Sequence, residues 1–389
     1  MLLGMATWFS AGAVVPQLVD EFSLGESQTA WLTLGVQVGF VIGALALAIT
    51  SIADRIRPRQ LMALGAAAAG LVNLLLLVAT EGWQVIAIRI LTGACLAAVY
   101  PPATKAIATW YRTSRAFAIA VMLGALTLGS ASPHLVATAG GLSWTFVVWG
   151  TSTLSLLACL VAALVAKDGP YPFPLAEFSF TQARQAFSSR AVLLTSVGYF
   201  GHMWELYAMW SWFGLFIGTV LASDGGPPAS RTASFIAFLV IGIGALGCLL
   251  GGWLAERRGS AWVASLSMWI SGPCALLIGW LADGPVWLVV AVALVWGFWV
   301  IPDSPQFSAL ITQVADQRYV GSTLTLQMAL GYVVTIPVVW LTPVLYLRVG
   351  WGWTFTLLAL GPLVGIVAMR ALQREMAGQA EPSGAAPLA

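Results

Sequence analysis

His202 and Glu205 stand three residues apart inside a long apolar run. On a helix, residues at i and i+3 share a face, so these two side chains can touch. A carboxylate in apolar surroundings suits reversible protonation, and histidine titrates near neutrality without help, so the pair is the candidate for proton transfer. His202-Met-Trp-Glu205 is followed by Leu206, where an H-x-x-E-H zinc site would have its second histidine. With only 2 histidines in the chain, neither metal nor cofactor chemistry is expected. Arg89 stands in another apolar run and shares a helix face with Gly93 and Tyr100. A guanidinium there can bind an anion through paired N–H donors or hold a carboxylate. Asp303 lies between Pro302 and Pro305, and proline removes a backbone donor and kinks a helix. His134 follows Pro133 late in a run of its own. No paired D-x-x-x-D, H-E-x-x-H or G-x-S-x-G element is present, so the residues do not read as an enzyme's.

The elements that must position these residues follow from composition. Of 389 residues, 59% are hydrophobic and 8% charged, and the mean hydropathy is +0.89. A soluble domain carries roughly 25% charged residues. So few charges cannot cover a water-soluble particle of this size, and the solvent for most of the surface is lipid. No basic tract suggests nucleic acid. The 4 cysteines (Cys95, Cys159, Cys248, Cys274) lie in apolar runs without C-x-x-C spacing and read as buried free thiols. A membrane-spanning helix needs about 20 apolar residues. That rule gives twelve spans: 2–19, 29–51, 61–80, 83–103, 116–138 and 144–166, then 191–220, 232–254, 261–281, 286–306, 321–345 and 351–371. The first is at the short limit, so the native chain is expected to begin upstream of Met1, which intact mass of the natively expressed protein would test.

Lys and Arg distribute unevenly over the loops between these spans. One set of loops, with the C-terminal tail, holds 14 of the 17, the other set holds Arg231 and Arg348, and Arg89 alone lies within a span. Cytoplasmic loops are the Lys/Arg-rich ones, so both termini are expected in the cytoplasm and the protein in the cytoplasmic (inner) membrane. The proline-bearing segment 167–190 is the expected linker between an N-terminal bundle, 1–166, and a C-terminal bundle, 191–371, with 372–389 a disordered tail.

The halves resemble each other at an offset near 200 residues. Ala53-Asp54-Arg55 follows span 2 and Ala255-Glu256-Arg257 follows span 8. Trp144-Thr145-Phe146 opens span 6 and Trp353-Thr354-Phe355 opens span 12, while Pro101-Pro102 ends span 4 and Pro302 with Pro305 ends span 10. Three pairs in one order argue for duplication. Two similar six-helix halves enclose a cleft around which they can rock.

The chain thereby resembles the major facilitator superfamily over essentially its whole length. The family's loop of form G-x-x-x-D-[RK]-x-G-[RK]-[RK] has its counterpart in Thr50-Ser-Ile-Ala-Asp54-Arg55-Ile-Arg57-Pro58-Arg59, with Thr50 and Arg57 in place of both glycines. Arg89-Ile-Leu-Thr92-Gly93 is similar to the family's R-x-x-Q-G, with Thr92 for the glutamine. The resemblance implies an all-α integral membrane protein of twelve helices in two pseudo-symmetric six-helix bundles. It also implies gating by Asp54, Arg55 and Arg59, to which the kinks at Asp303, Pro101, Pro302 and Pro305 add. Trp8, Trp204, Tyr207, Trp296 and Trp299 then fall on central helices, where with Arg89 they would line a binding site for a planar or partly apolar solute. The expected function is secondary transport of a small molecule, coupled to protons through Glu205 and His202, in a monomer. Uptake of a small organic anion, a carboxylate, is the leading expectation, and proton-coupled efflux of amphipathic compounds is the alternative. A membrane-embedded enzyme or sensor is the remote third.

Overall fold

A computed structural model describes the backbone of all residues except 51, 53–55, 112–114, 141–142, 168, 172–186, 224, 226–230, 317–319 and 381–389. Asp54 and Arg55, two of the expected gating residues, and most of the expected linker therefore lie outside the described residues. What is described is helical nearly throughout. The main helices are α1 (Val15–Phe22), α2 (Glu26–Ile49), α3 (Pro58–Leu74), α4 (Gly82–Leu96), α5 (Tyr100–Ala108), α6 (Arg115–Ala139), α7 (Trp144–Leu164) and α8 (Arg190–Ser223). They continue as α9 (Arg231–Gly242), α10 (Gly244–Arg258), α11 (Ser260–Ile278), α12 (Val286–Trp299), α13 (Ser304–Val314), α14 (Val320–Leu358) and α15 (Leu360–Ala380).

Among the described residues, 10 helical stretches are long and apolar enough to cross a membrane. The last of them, Thr323–Gly378, has 56 residues. That is far more than the roughly 20 a single crossing needs. Gly350 divides it, with φ 75° and ψ 175°, a backbone region essentially closed to other residues. The opening segment is not one of the ten. Where the apolar pattern predicts a helix over 2–19, the chain forms two 3₁₀ turns, Leu3–Thr7 and Gly12–Val14, before α1. Pro16, at the start of α1, has no N–H to give the carbonyl four residues back, so the α-helical ladder cannot run through Gly12.

Ends are marked by local chemistry. Pro58 opens α3 at a position where its missing N–H costs nothing. Glu81 and Gln84 form a reciprocal capping box at α4, and Ser143 accepts from the Phe146 N–H at the start of α7. Two predicted spans are broken where the halves were expected to correspond. Span 4 is interrupted between α4 and α5, with Pro101 and Pro102 in the first turn of α5. Span 10 is interrupted between α12 and α13, with Pro305 in the first turn of α13. Helix pairs α2–α4, α3–α7 and α8–α15 hold each half together, whereas α6 against α9 and α10, and α2 against α14, join the halves. The α2–α4 approach requires glycine. A Cβ at Gly39 or Gly93 would run into the facing backbone carbonyls of Ile90 and Val36.

Candidate functional site

Where the two halves meet, aromatic rings close the gap. Trp8 lies 5.1 Å from Phe40, 5.6 Å from Tyr332 and 6.0 Å from Tyr207, measured between ring centroids. Phe40 lies 4.6 Å from Tyr332, and Phe9 lies 5.9 Å from Trp210. The Tyr207 and Tyr332 hydroxyls share a hydrogen bond of 2.8 Å, and Thr335 donates to Gln37 Oε1 across the halves at 2.9 Å. Beside this floor is a cavity of about 10 Å³, lined by Tyr100, Tyr199, Met203, Leu206, Trp210, Ile301 and Ser304 among others. Ligand pockets for drug-sized molecules run to roughly 300–1,000 Å³. The cavity has room for about one water molecule, so the gap between the halves is closed in this conformation.

Directly behind the cavity wall stands an acid–base group on α8. Glu205 is buried, its Oε1 accepting from Trp296 Nε1 and its Oε2 from Ser271 Oγ, each at 2.8 Å. His202 Nδ1 lies 2.9 Å from Asp303 Oδ1, an ion-pair separation without the alignment of a hydrogen bond. Both side chains are buried, and His202 Nε2 has no partner. The break before α13 is what brings Asp303 to α8. Met203 and Leu206, next to His202 and Glu205, and Ile301 and Ser304, flanking the break, all line the cavity. A change in charge at either acid is thus one residue away from a side chain that lines the cavity.

Arg89 is fully buried in the N-terminal half. Its guanidinium donates to the carbonyls of Leu32 (3.0 Å) and Thr7 (3.1 Å), to the carbonyl of Trp8, to Ser10 Oγ (2.9 Å) and to Asn73 Oδ1 (3.3 Å). Asn73 in turn donates to Thr151 Oγ1 (3.3 Å) and Ser152 Oγ (2.9 Å). These acceptors include the carbonyls set free where the opening segment leaves α-helical geometry. Arg89 therefore braces that segment, and with it Trp8, and lines no part of the cavity.

The remaining expected site residues divide. Tyr207 and Trp8 meet at the floor, and Trp296 touches Glu205. Trp204 instead donates to the Leu357 carbonyl of α14 at 3.2 Å, and Trp299 packs on Phe298 at 5.4 Å. Neither lines the cavity. His134 is buried in α6 facing Gly214 of α8, where an added Cβ would come within 3.1 Å of its Cε1. Sequence reasoning did not single out Phe9, Gln37, Phe40, Tyr199, Trp210, Ser271 or Tyr332. Gln37 carries the one usable signal, a lone amide in an apolar run.

The chain and its fold are similar to known proteins. The chain aligns over 318 residues, at 26% identity, with a gallate transporter of Pseudomonas putida, covering 72% of this chain and 69% of the relative. Its fold matches a bacterial homolog of the human lysosomal transporter Spinster, solved inward-facing and occupied, with a TM-score of 0.71 at 14% identity, covering 100% of this chain and 96% of that one. The unoccupied inward-facing form of the same homolog matches with a TM-score of 0.69 at 16% identity over the same shares. The profile described as Major Facilitator Superfamily matches residues 1–339. The chain is thus a membrane transporter, not an enzyme, and it belongs to the Major Facilitator Superfamily.

Proposed function

We propose that the protein takes up a small organic anion together with protons, by rocker-switch alternating access about the site between its halves. The observation that carries this reading is the pair of acids on the C-terminal half. Glu205 and Asp303 are buried at membrane depth, and among the described residues neither has a Lys or Arg partner. Ionisable groups there are costly and serve ion pathways by default. An acid so placed can bring a proton in with the solute and release it on the far side, so that anion and proton cross together. Moving an uncompensated charge through the membrane field costs about 2.3 kcal/mol per 100 mV, which is the advantage of carrying both. That a relative is named for gallate, an organic carboxylate, supports the anion part. The Lys and Arg bias of the loops supports a cytoplasmic location for both termini. A single chain of two halves encloses the site without a second copy, so the working unit is a monomer.

The ring-lined floor also suits amphipathic cargo moved outward in exchange for protons. One assay separates the two. In proteoliposomes under an imposed pH gradient, the organic-anion reading expects acids to accumulate on the alkaline side and a protonophore to abolish the accumulation. Extrusion of lipophilic compounds with no acid accumulation would replace it with the efflux reading.

A further inference from the structure

Three arginines at one end of the C-terminal half lie on tryptophan rings. The guanidinium carbon of Arg257 stands 3.8 Å from the Trp253 ring centroid, that of Arg258 5.5 Å from Trp262, and that of Arg370 4.9 Å from Trp269. All six side chains are on the outer surface, at the end where the Lys- and Arg-rich loops gather. Among the described residues no carboxylate pairs with any of these arginines. Glu256 is exposed beside them, so the group carries three positive charges against one negative.

Two of the pairs form one surface. Trp262 and Trp269 are seven residues apart on α11, hence on one face, and about 10 Å apart along its axis. α11 packs against α10, which ends at Arg258, and against α15, which carries Arg370. A guanidinium thus reaches each ring from a neighbouring helix.

Arg370 points the costly way. Gly272 meets Pro362 and Gly365 meets Met268, so α11 and α15 run antiparallel, with Arg370 level with Val263 and Ala264. Its guanidinium nevertheless lies on Trp269, roughly 8 Å nearer the middle of the span by helical rise. Helical side chains lean toward the N-terminus of their helix, which for α15 is into the membrane. A long cationic side chain near a membrane surface ordinarily extends toward the water instead. A charge held on the lipid side of its own backbone calls for an anion. The ring covers one face of the guanidinium and leaves its N–H edge free for paired bonds to phosphate oxygens.

We propose that an anionic phospholipid binds over α11, its headgroup held by Arg258 and Arg370 and an acyl chain laid along Trp262 and Trp269. The occupant is a membrane lipid rather than a soluble phosphate, because the deeper guanidinium faces the bilayer.

The test follows the melting temperature of the full-length protein in phosphatidylcholine nanodiscs with rising shares of phosphatidylglycerol or phosphatidylethanolamine. A lipid that binds the folded state raises the melting temperature by mass action. Phosphatidylglycerol should raise it to a plateau, and zwitterionic phosphatidylethanolamine should not. Arg258→Gln and Arg370→Gln should each raise the half-saturating share of phosphatidylglycerol about fivefold, whatever the melting temperature in phosphatidylcholine alone. Arg231→Gln with Arg348→Gln, at the opposite end, should leave the response unchanged. An equal rise with phosphatidylethanolamine would overturn the anionic class. An unshifted response in the Arg258→Gln, Arg370→Gln double variant would overturn the site. Full stabilisation by soluble glycerol 3-phosphate, with nothing added by phosphatidylglycerol, would overturn the lipid as occupant.

Discussion

Glu205 is held from two sides, by Trp296 of α12 and Ser271 of α11, so its carboxyl group is fixed in place whether or not it carries a proton. Glu205→Gln keeps the shape and one acceptor but cannot exchange a proton. Uptake driven by a pH gradient should fall to the level of protein-free vesicles, while counterflow of cargo without a gradient survives. Paired flux assays check this, and gradient-driven uptake in the variant would remove Glu205 from the coupling. Arg89 calls for a different expectation. Arg89→Ala would strand the Trp8 carbonyl in a dry interior, while the Thr7 carbonyl keeps Ser10 Oγ and the Leu32 carbonyl stays inside α2. A buried unpartnered polar group costs about 1–3 kcal/mol, so the loss of stability should be about that much. Thermal unfolding of detergent-purified protein measures it, and an unchanged melting temperature would contradict the brace. The sequence made Glu205, His202 and Asp303 legible because an ionisable residue in an apolar run has few uses. It could not separate Trp210 from Trp269 or Trp287, because all three are tryptophans in apolar helices. Yet the first is 2% exposed and the others are 48% and 71% exposed.

The elements that matter most are the broken ones. The turn between α12 and α13 aims Asp303 at His202 and sets Ile301 and Ser304 at the cavity. Each residue of an α-helix turns the chain by about 100°, so a continuous helix through this point would carry Asp303 off that face. Pro302→Ala with Pro305→Ala allows such a helix. Cargo affinity should be kept and kcat should fall about tenfold, equivalent to about 1.4 kcal/mol of barrier. A Kd and kcat measured on the same preparation decide it, and an unchanged kcat would show the break to be incidental. Proline spacing made these breaks legible, since Pro101–Pro102 and Pro302/Pro305 correspond in the two halves. The 3₁₀ opening segment was not legible from apolarity, because its backbone is satisfied by Arg89, a residue some 80 positions away.

At the scale of the molecule, the halves touch through α2 and α14 and through α6 with α9 and α10. The Gln37–Thr335 contact and the rings around Trp8 bridge the first of these seams. If transport requires that seam to open, cysteines replacing Gln37 and Thr335 should cross-link under oxidation and stop transport, and reduction should restore it. Full activity in the cross-linked protein would exclude opening at this seam. A membrane protein of many apolar helices was legible in the sequence, because lipid imposes the length of each crossing, and 10 stretches of that kind stand among the described residues. The identity of the facing residues at the seam was not, since it depends on how two bundles meet. The most direct test of the account measures organic-acid uptake and proton movement together, in proteoliposomes carrying an internal pH dye. The account predicts that adding a transported organic acid outside acidifies the lumen in step with its uptake, and that Glu205→Gln abolishes both. Acid uptake with no change in luminal pH would contradict proton coupling, and with it the role given to Glu205, His202 and Asp303.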